Sequence, residues 1–577
     1  MVRRPDRWRI YALALREAGR ASRASLSYLK SLMRIGSPVP TRLLFAPQDL
    51  RTSDPTIAND VYAGFFVFAG RALSTSGRSP FDFRPPSRAW GEVLYGFGWL
   101  RHLRAAGTAL AQANARTLVD EFIAQSRGDQ KLARETPILA RRLISFMSQS
   151  PLLLEGADHA FYQRFLKAIG RAVRDLEQDI EAGALPYQRL VAAIALCYAG
   201  LCCEGLDATQ RNAIKLLARE LDRQILPDGG HVSRNPRLII ELLFDLLPLR
   251  QIFASRGVET PEALLQAIDR MLPMVRMFRH GDSTMSHFNG MGVTAADQLA
   301  TLLMYDEARA QPIQHAPHVG YERLEAGTSL VIADVGAIPP VHHSTEAGAG
   351  CLSFEFSSGR QRIVVNCGRP RNPSDAIAQA ARSTAAHSTA TVADTSSAGF
   401  LTAEGWWFDR IVATWLLRRL GPVALYGPHS VVAERTERDQ SVLLVAYHDG
   451  YRSQFGITHE RRLQLSATGD LLEGQDSFLT EAGVSANEDV TVRFHLAPGV
   501  RASLAQAGRA VMLLLPNREV WQFETHPVEA RLEDSVFFSA TDGPRRIVQI
   551  ALTVKPSEIP SVRWRFERLT STGGRAA

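Results

Sequence analysis

Apolar residues in the first half of the chain recur with the period of an α-helix. After Pro85-Pro86-Ser87, the side chains of Trp90, Leu94 and Phe97 fall on one face, and Ser87 is placed to cap the helix start. The same spacing predicts helices over 109–123, 138–147, 160–180, 190–203, 208–225, 238–254, 261–278 and 295–306. Short breaks holding Gly, Pro or Asp separate them. So many helices with short links imply antiparallel neighbours, arranged as a bundle, a solenoid or a closed ring of hairpins. Between Asp306 and Leu330 the period drops to two. Leu352, Phe354 and Phe356 alternate with Ser353, Glu355 and Ser357, and Val492, Phe494 and Leu496 alternate with Arg493 and His495. Such alternation predicts antiparallel strands with one wet face, and many of them punctuated by Gly-rich turns read as a sandwich or a barrel. Helices first and strands afterwards indicate separate domains. The expected division is an N-terminal helical extension over 1–84, a helical domain over 85–310 and a β domain over 320–577.

A chain of 577 residues exceeds what one core usually supports, which agrees with that division. Its 66 Lys and Arg outnumber 59 Asp and Glu, a balance that suits an anionic partner. Zinc-finger spacing, a helix-turn-helix signature and dense basic runs are all missing, so no nucleic-acid partner is expected. The five cysteines are an odd number, and Cys197, Cys202 and Cys203 lie in an apolar helix, which reads as buried free thiols. The N-terminus reads as a charged amphipathic helix without the apolar core or cleavage site of a secretory signal. No apolar run reaches the roughly 18 residues of a membrane span. The sequence alone therefore points to the cytoplasm.

Four segments, in order, carry a resemblance to a known family. They are Gln224-Ile-Leu-Pro-Asp-Gly-Gly-His231 followed by Asn235-Pro236; His280-Gly-Asp282; Ala381-Arg-Ser-Thr-Ala-Ala-His387-Ser-Thr389, running into a strand that ends at Asp394; and Tyr447-His448-Asp-Gly-Tyr451 with His459-Glu-Arg461-Arg462 and Arg493-Phe-His495. Together with the Trp90–Leu103 stretch, they resemble the heparinase II/III-like family. The resemblance implies an N-terminal (α/α) toroid of helical hairpins followed by an antiparallel β-sandwich. It also implies eliminative cleavage of an acidic, uronic-acid-containing polysaccharide, and a periplasmic location.

Such an elimination removes the C5 proton beside a carboxylate, so a donor must neutralise that carboxylate while a base takes the proton and an acid protonates the leaving oxygen. The resemblance points to His387 and His231 for catalysis, with Tyr187 as a candidate stand-in where the chain departs from the family. It assigns Arg382, Asn235, His280, Asp282 and Asn289 to substrate binding, and His231 and His387 are expected to face one interdomain groove. No cofactor is required, though a structural zinc on His448 and Asp394 is implied by some relatives. Oligomeric state is left open.

Two departures from the family pattern stand out. Where its lyases carry an Asn-His pair, this chain has Leu185-Pro186-Tyr187-Gln188. Where they carry Ser-Pro-x-Tyr, it has Asn235-Pro236-Arg237-Leu238, and Leu238 cannot move a proton. Either Tyr187 or Asn235 takes over, or substrate and mechanism differ, or catalysis is lost. The competing reading is a non-catalytic glycan-binding or exopolysaccharide-handling protein on the same scaffold. A hydrolase would need two carboxylates across a cleft, and no paired Asp/Glu motif announces one.

Overall fold

The computed structural model describes residues 4–32, 39–125, 129–305, 311–371, 374–438, 441–480 and 487–569. Its first half is built of helical hairpins. Helices Arg88–Gly96, Thr136–Ser148, Pro186–Cys202 and Pro236–Ser255 pack side by side as an inner layer. Ala109–Gln125, His159–Glu181, Asp207–Gln224 and Glu262–Met277 lie outside them. The sequence explains the layering. Pro186–Cys202 carries apolar residues all round and is buried throughout from Ala192 onward, whereas Asp207–Gln224 buries only one stripe. Helix starts are fixed by side chains: Ser87 Oγ accepts from Trp90 N at 3.2 Å, and Asp158 Oδ1 accepts from Phe161 N at 2.6 Å.

The second half is two antiparallel sheets face to face, one of nine strands and one of eight. Phe354, Phe356, Phe494, Trp521, Trp564 and Phe566 fill the space between them, with Phe354 stacked on Trp564 at 5.5 Å. The mainly helical then mainly β order is thus as the change of period implies, with the first strand of the large sheet at His315–Ala316. Residues 306–310, on which the expected boundary falls, lie outside the described residues.

Three expectations need correction. The segment over 1–84 is not a separate helical extension. Only Arg4–Leu32 is a long helix, and it packs on a helix of the β half, Trp407–Leu420. Residues from Leu50 to Phe81, with a Phe65–Phe68/Arg71–Ser74 hairpin among them, join the core of the toroid. A two-residue pairing, Arg42–Leu43 with Cys203–Glu204, also brings strand structure into the helical half.

The third correction concerns the wet face expected of the strands. In Phe354–Ser358 both faces are dry. Glu355, on the polar face, is fully buried and accepts from His287 N at 3.1 Å and Asn366 N at 2.9 Å. Arg362 and His280 also reach it. The polar alternation marks the surface on which the toroid sits. Arg323, two strands away on Tyr321–Ala326, donates to the carbonyls of Met277 and Arg279, both at 3.0 Å, closing the end of the toroid helix Glu262–Met277. The two halves meet through these hydrogen bonds and through apolar side chains of the β half, Val319, Tyr321, Leu330 and Ile332, that join the toroid core.

Candidate functional site

Two cavities near this junction matter most for the expected residues; a third, of about 310 Å³, is lined by Asp282 and His287. One, of about 710 Å³, is the groove of the toroid, and Tyr187 opens into it. Its cations are already matched. Arg51 and Arg141 both pair with Asp245, at 3.0 and 2.9 Å, and Arg88 pairs with Glu92 and Glu135. Arg101 donates to the carbonyl of Thr52 at 2.9 Å. The other cavity, about 420 Å³, lies among His387, Asn289, His287, Arg369, Arg382 and Glu346.

Between the cavities stands an ion-pair bridge. Asn235 is held at the start of Pro236–Ser255, where its Oδ1 caps Arg237 N at 2.9 Å. Its Nδ2 donates to Glu346 at 2.7 Å, Arg237 donates to both Glu346 oxygens at 2.7 and 2.6 Å, and Arg369 closes the cluster. Burial works against ionisation of Glu346, but Arg237 and Arg369 outweigh it and hold the carboxyl at about 2. Arg237 also reaches Glu241, which lines the toroid groove, so the bridge walls one cavity from the other. This is the kind of donor set that a uronate carboxylate would require, and the chain's own glutamate fills it.

Of the expected catalytic residues, His387 faces the second cavity, together with Asn289 and Arg382. Its ring Nδ1 lies 2.8 Å from the carbonyl of Ser383, which can only accept, so Nδ1 carries the proton and Nε2 the lone pair. Burial lowers its pKa and keeps it neutral. The ring fits because Gly348 and Gly350 give way: a Cβ on Gly348 would come within 2.8 Å of Nε2.

The other expected residues have different tasks. His231 is entirely buried, with Nδ1 2.7 Å from Ser233 Oγ and Nε2 3.3 Å from Gln224, and burial pushes it down to about 3. It lines neither cavity, so it shares no groove with His387. The Asp228-Gly229-Gly230 turn before it admits protein, not ligand. A Cβ on Gly229 would sit 2.0 Å from the carbonyl of Arg270, and one on Gly230 would strike Val319. Tyr187 stands edge-on to His231, and burial pushes its phenol well up, which makes it a poor base.

Arg382 spends its guanidinium on the carbonyls of Ala347, Ser344 and Pro422 at 2.7, 2.9 and 2.7 Å, lying over Phe400. It clamps loops instead of neutralising a substrate. Asn289, held at φ 43°, donates to Tyr321 Oη at 2.7 Å and Asp334 at 3.0 Å and accepts from Gly348 N at 3.2 Å. His280 is buried against Ser357 at 2.9 Å and Glu355. Asp282 accepts from Thr284 N and Oγ1 at 2.8 and 2.7 Å, a turn of its own making.

The zinc pair does not form. Asp394 is exposed and pairs with Arg493 at 3.1 Å, while His448 is buried, accepts from Gly450 N at 3.0 Å and stands beside the ring of His459. Among the described residues no group of three or more His, Cys, Asp or Glu could hold a metal ion.

Glu346, Arg369, Arg234 and Asp334 were not visible from local sequence. Arg234 pairs with Asp334 and donates to the carbonyls of Val319, Gly320, Gly336 and Ala337, locking toroid to sheet. The Gly-rich stretch Glu346-Ala-Gly-Ala-Gly350 was the one available signal, and alone it is weak.

Toroid, paired antiparallel sheets and a junction built from these segments define a class. The chain belongs to the heparinase II/III-like family. A family model described as "Heparinase II/III-like, C-terminal" matches residues 308–565. The chain is 32% identical over 573 residues to FtsZ-localized protein C of Caulobacter vibrioides (strain NA1000 / CB15N), covering 96% of each. Among solved structures it is similar to heparinase III, with a TM-score of 0.70, 12% identity and coverage of 99% of this chain and 92% of that one. It is also similar to heparan sulfate lyase HepC from Pedobacter heparinus, with a TM-score of 0.58, 11% identity and coverage of 95% and 88%. At these identities the likeness to the solved structures is one of fold. Among the described residues, no helix is long and apolar enough to cross a membrane.

Proposed function

We propose that this protein is a non-catalytic member of the heparinase II/III-like family that works in association with FtsZ. The observation that carries the first half is the Glu346 bridge. A carboxylate of the chain occupies the Asn235–Arg237–Arg369 donors and separates His387 from the toroid groove. Leu238 and a buried, doubly bonded His231 remove two expected proton-transfer groups, and His287, which shares the cavity with His387, is engaged by Glu355 and Arg362. The second half rests on FtsZ-localized protein C, whose likeness runs through both domains at nearly three times the identity seen with heparinase III.

The test has two arms. Incubated with a panel of acidic polysaccharides, the purified protein should produce no absorbance from unsaturated uronate, and it should co-sediment with assembled FtsZ from the same organism. Absorbance that grows with time and vanishes in His387→Ala would overturn the non-catalytic reading. Absence from the FtsZ pellet would remove the association.

One observation favours a second reading, a lyase acting on an acidic polysaccharide by β-elimination. His387 Nε2 offers a lone pair beside Asn289 and Arg369 in a cavity large enough for a sugar ring. This reading requires Glu346 to leave Arg369 when substrate arrives. His387→Ala should then cost about a hundred- to ten-thousand-fold in turnover, far more than His448→Ala.

A further inference from the structure

The far end of the toroid holds a cavity of about 540 Å³, within the roughly 300–1,000 Å³ usual for small-molecule sites. Gln149 in its wall directly follows the inner helix Thr136–Ser148, and Gln251 and Ser255 belong to the last turns of Pro236–Ser255. At 1.5 Å per residue, Gln251 stands roughly 24 Å along that helix from Asn235, so the cavity lies well away from the Glu346 bridge. Asp49, Arg51 and Arg101 stand between it and the toroid groove.

The charge in this cavity is unbalanced. Three arginines line it, Arg51, Arg101 and Arg104, against one acid, Asp49. Arg51 is matched by Asp245 at 3.0 Å. Arg101 and Arg104, three apart on the helix Leu100–Ala106, make no ion pair among the described residues. Backbone carbonyls hold them in place instead: Arg101 donates to Thr52 and Gly98 at 2.9 and 2.5 Å, and Arg104 to Ser148 at 2.8 Å. Burial lowers the Arg101 pKa, with Asp49 opposing it and Arg51 and Arg141 adding to it. Gln149 is only 1% exposed. Its Nε2 gives a long bond of 3.4 Å to Asp49, and its Oε1 has no partner among the described residues. A buried amide left half-used costs free energy unless something else reaches it.

We propose that this cavity binds a small phosphorylated sugar, with the phosphate on Arg101 and Arg104 and the ring hydroxyls on Gln149 and its neighbours. A phosphate monoester carries about 1.5 to 2 negative charges and three acceptor oxygens, which suits two guanidiniums approaching from neighbouring turns. A carboxylate offers one charge and two oxygens. The last carbonyls of Thr136–Ser148 oppose an anion, and Arg104 covers that of Ser148. Gln149 Oε1 accepts from a ring hydroxyl, and Gln251 and Ser255 offer both donors and acceptors in the same wall. Phe45 gives the C–H face of a ring an apolar side to lie on. The inference rests neither on catalysis nor on FtsZ association.

The full chain is titrated calorimetrically with hexose 1- and 6-phosphates, plain and N-acetylated. At least one should bind saturably at one site per chain, with the parent sugar silent and inorganic phosphate about tenfold weaker or more. Arg104→Gln should weaken that binding about ten- to a hundredfold, the worth of a charge-assisted hydrogen bond. Arg104 is exposed, and an unchanged thermal midpoint shows that the variant folds. Gln149→Leu should weaken the sugar phosphate and leave inorganic phosphate alone, because the amide meets only the sugar. Gln251→Ala repeats that test if Gln149→Leu does not fold. Arg88→Gln, in the toroid groove, should change nothing. Silence from every hexose phosphate overturns the proposal. So does inorganic phosphate bound as tightly as the best of them, since the cavity would then be an anion site only. Binding lost in Arg88→Gln and kept in Arg104→Gln would place the ligand in the groove and overturn it too.

Discussion

Glu346 is the residue on which the functional reading turns, and its ionisation makes a prediction of definite sign. Its folded pKa is held at about 2, below the ordinary 4.5, so folding favours the carboxylate. The stability it adds is fully present above pH 4.5 and is lost as pH falls through 2. Glu346→Gln should therefore be less stable than wild type at neutral pH, and the gap should close towards pH 2 in urea titrations. Glu346→Ala strands Arg237, Arg369 and Asn235. Its cost should be on the order of 2 kcal/mol, below the full buried-pair penalty because the side chain is 24% exposed. A flat pH profile for the Gln difference would show that the bridge does not hold the charge. Arg237 itself stood in the sequence beside Asn235, but its partner lies 109 residues away. That partner could not be read from spacing.

At the scale of the element, the strand Phe354–Ser358 is the instructive one. Alternation predicted the strand and its apolar face correctly, since Phe354 and Phe356 enter the sandwich core. It misassigned the other face, because Ser and Glu are read as wet unless something covers them. Here the toroid covers them, and Glu355 is held ionised despite burial by Arg362 and the flanking histidines. Glu355→Ala should cost about 3–5 kcal/mol, since it leaves Arg362 without its buried counter-charge. Ser87→Ala, removing a helix cap, should cost only about 1 kcal/mol. Chemical denaturation of both variants checks the ranking, and a Glu355→Ala loss no larger than that of Ser87→Ala would mean that the sheet face is wetter than its burial implies.

For the molecule as a whole, the junction decides whether the two halves behave as one. Arg234 gives its guanidinium to Asp334 and to carbonyls at both ends of the Tyr321–Ala326/Ser329–Asp334 hairpin, and Arg323 and Asn289 add further bonds across it. Wild type should melt in a single calorimetric transition. Arg234→Ala should split it into two, because the core between the sheets is separate from the toroid core, which Tyr321, Leu330 and Ile332 join, and the variant loses polar contacts that couple them. One unchanged transition in the variant would show that the halves are coupled by something other than this arginine.

The sequence by itself determined the helical and β halves, the Ser87 cap, the buried thiols and the order of the family-like segments. Those follow from period and local chemistry, which neighbouring residues carry within a few positions. It also marked His387, whose loop is compact enough that Ser383, four residues earlier, fixes the ring. Only the tertiary structure decided what the remaining candidates do. His231, Asn235, Asn289 and Arg382 all find partners brought by folding, and a polar side chain looks the same in sequence whether it meets a ligand or a distant carbonyl. The same holds for Arg101, Arg104 and Gln149. Their polarity was written in the chain, but that they line one cavity is set by which helix ends the fold brings together.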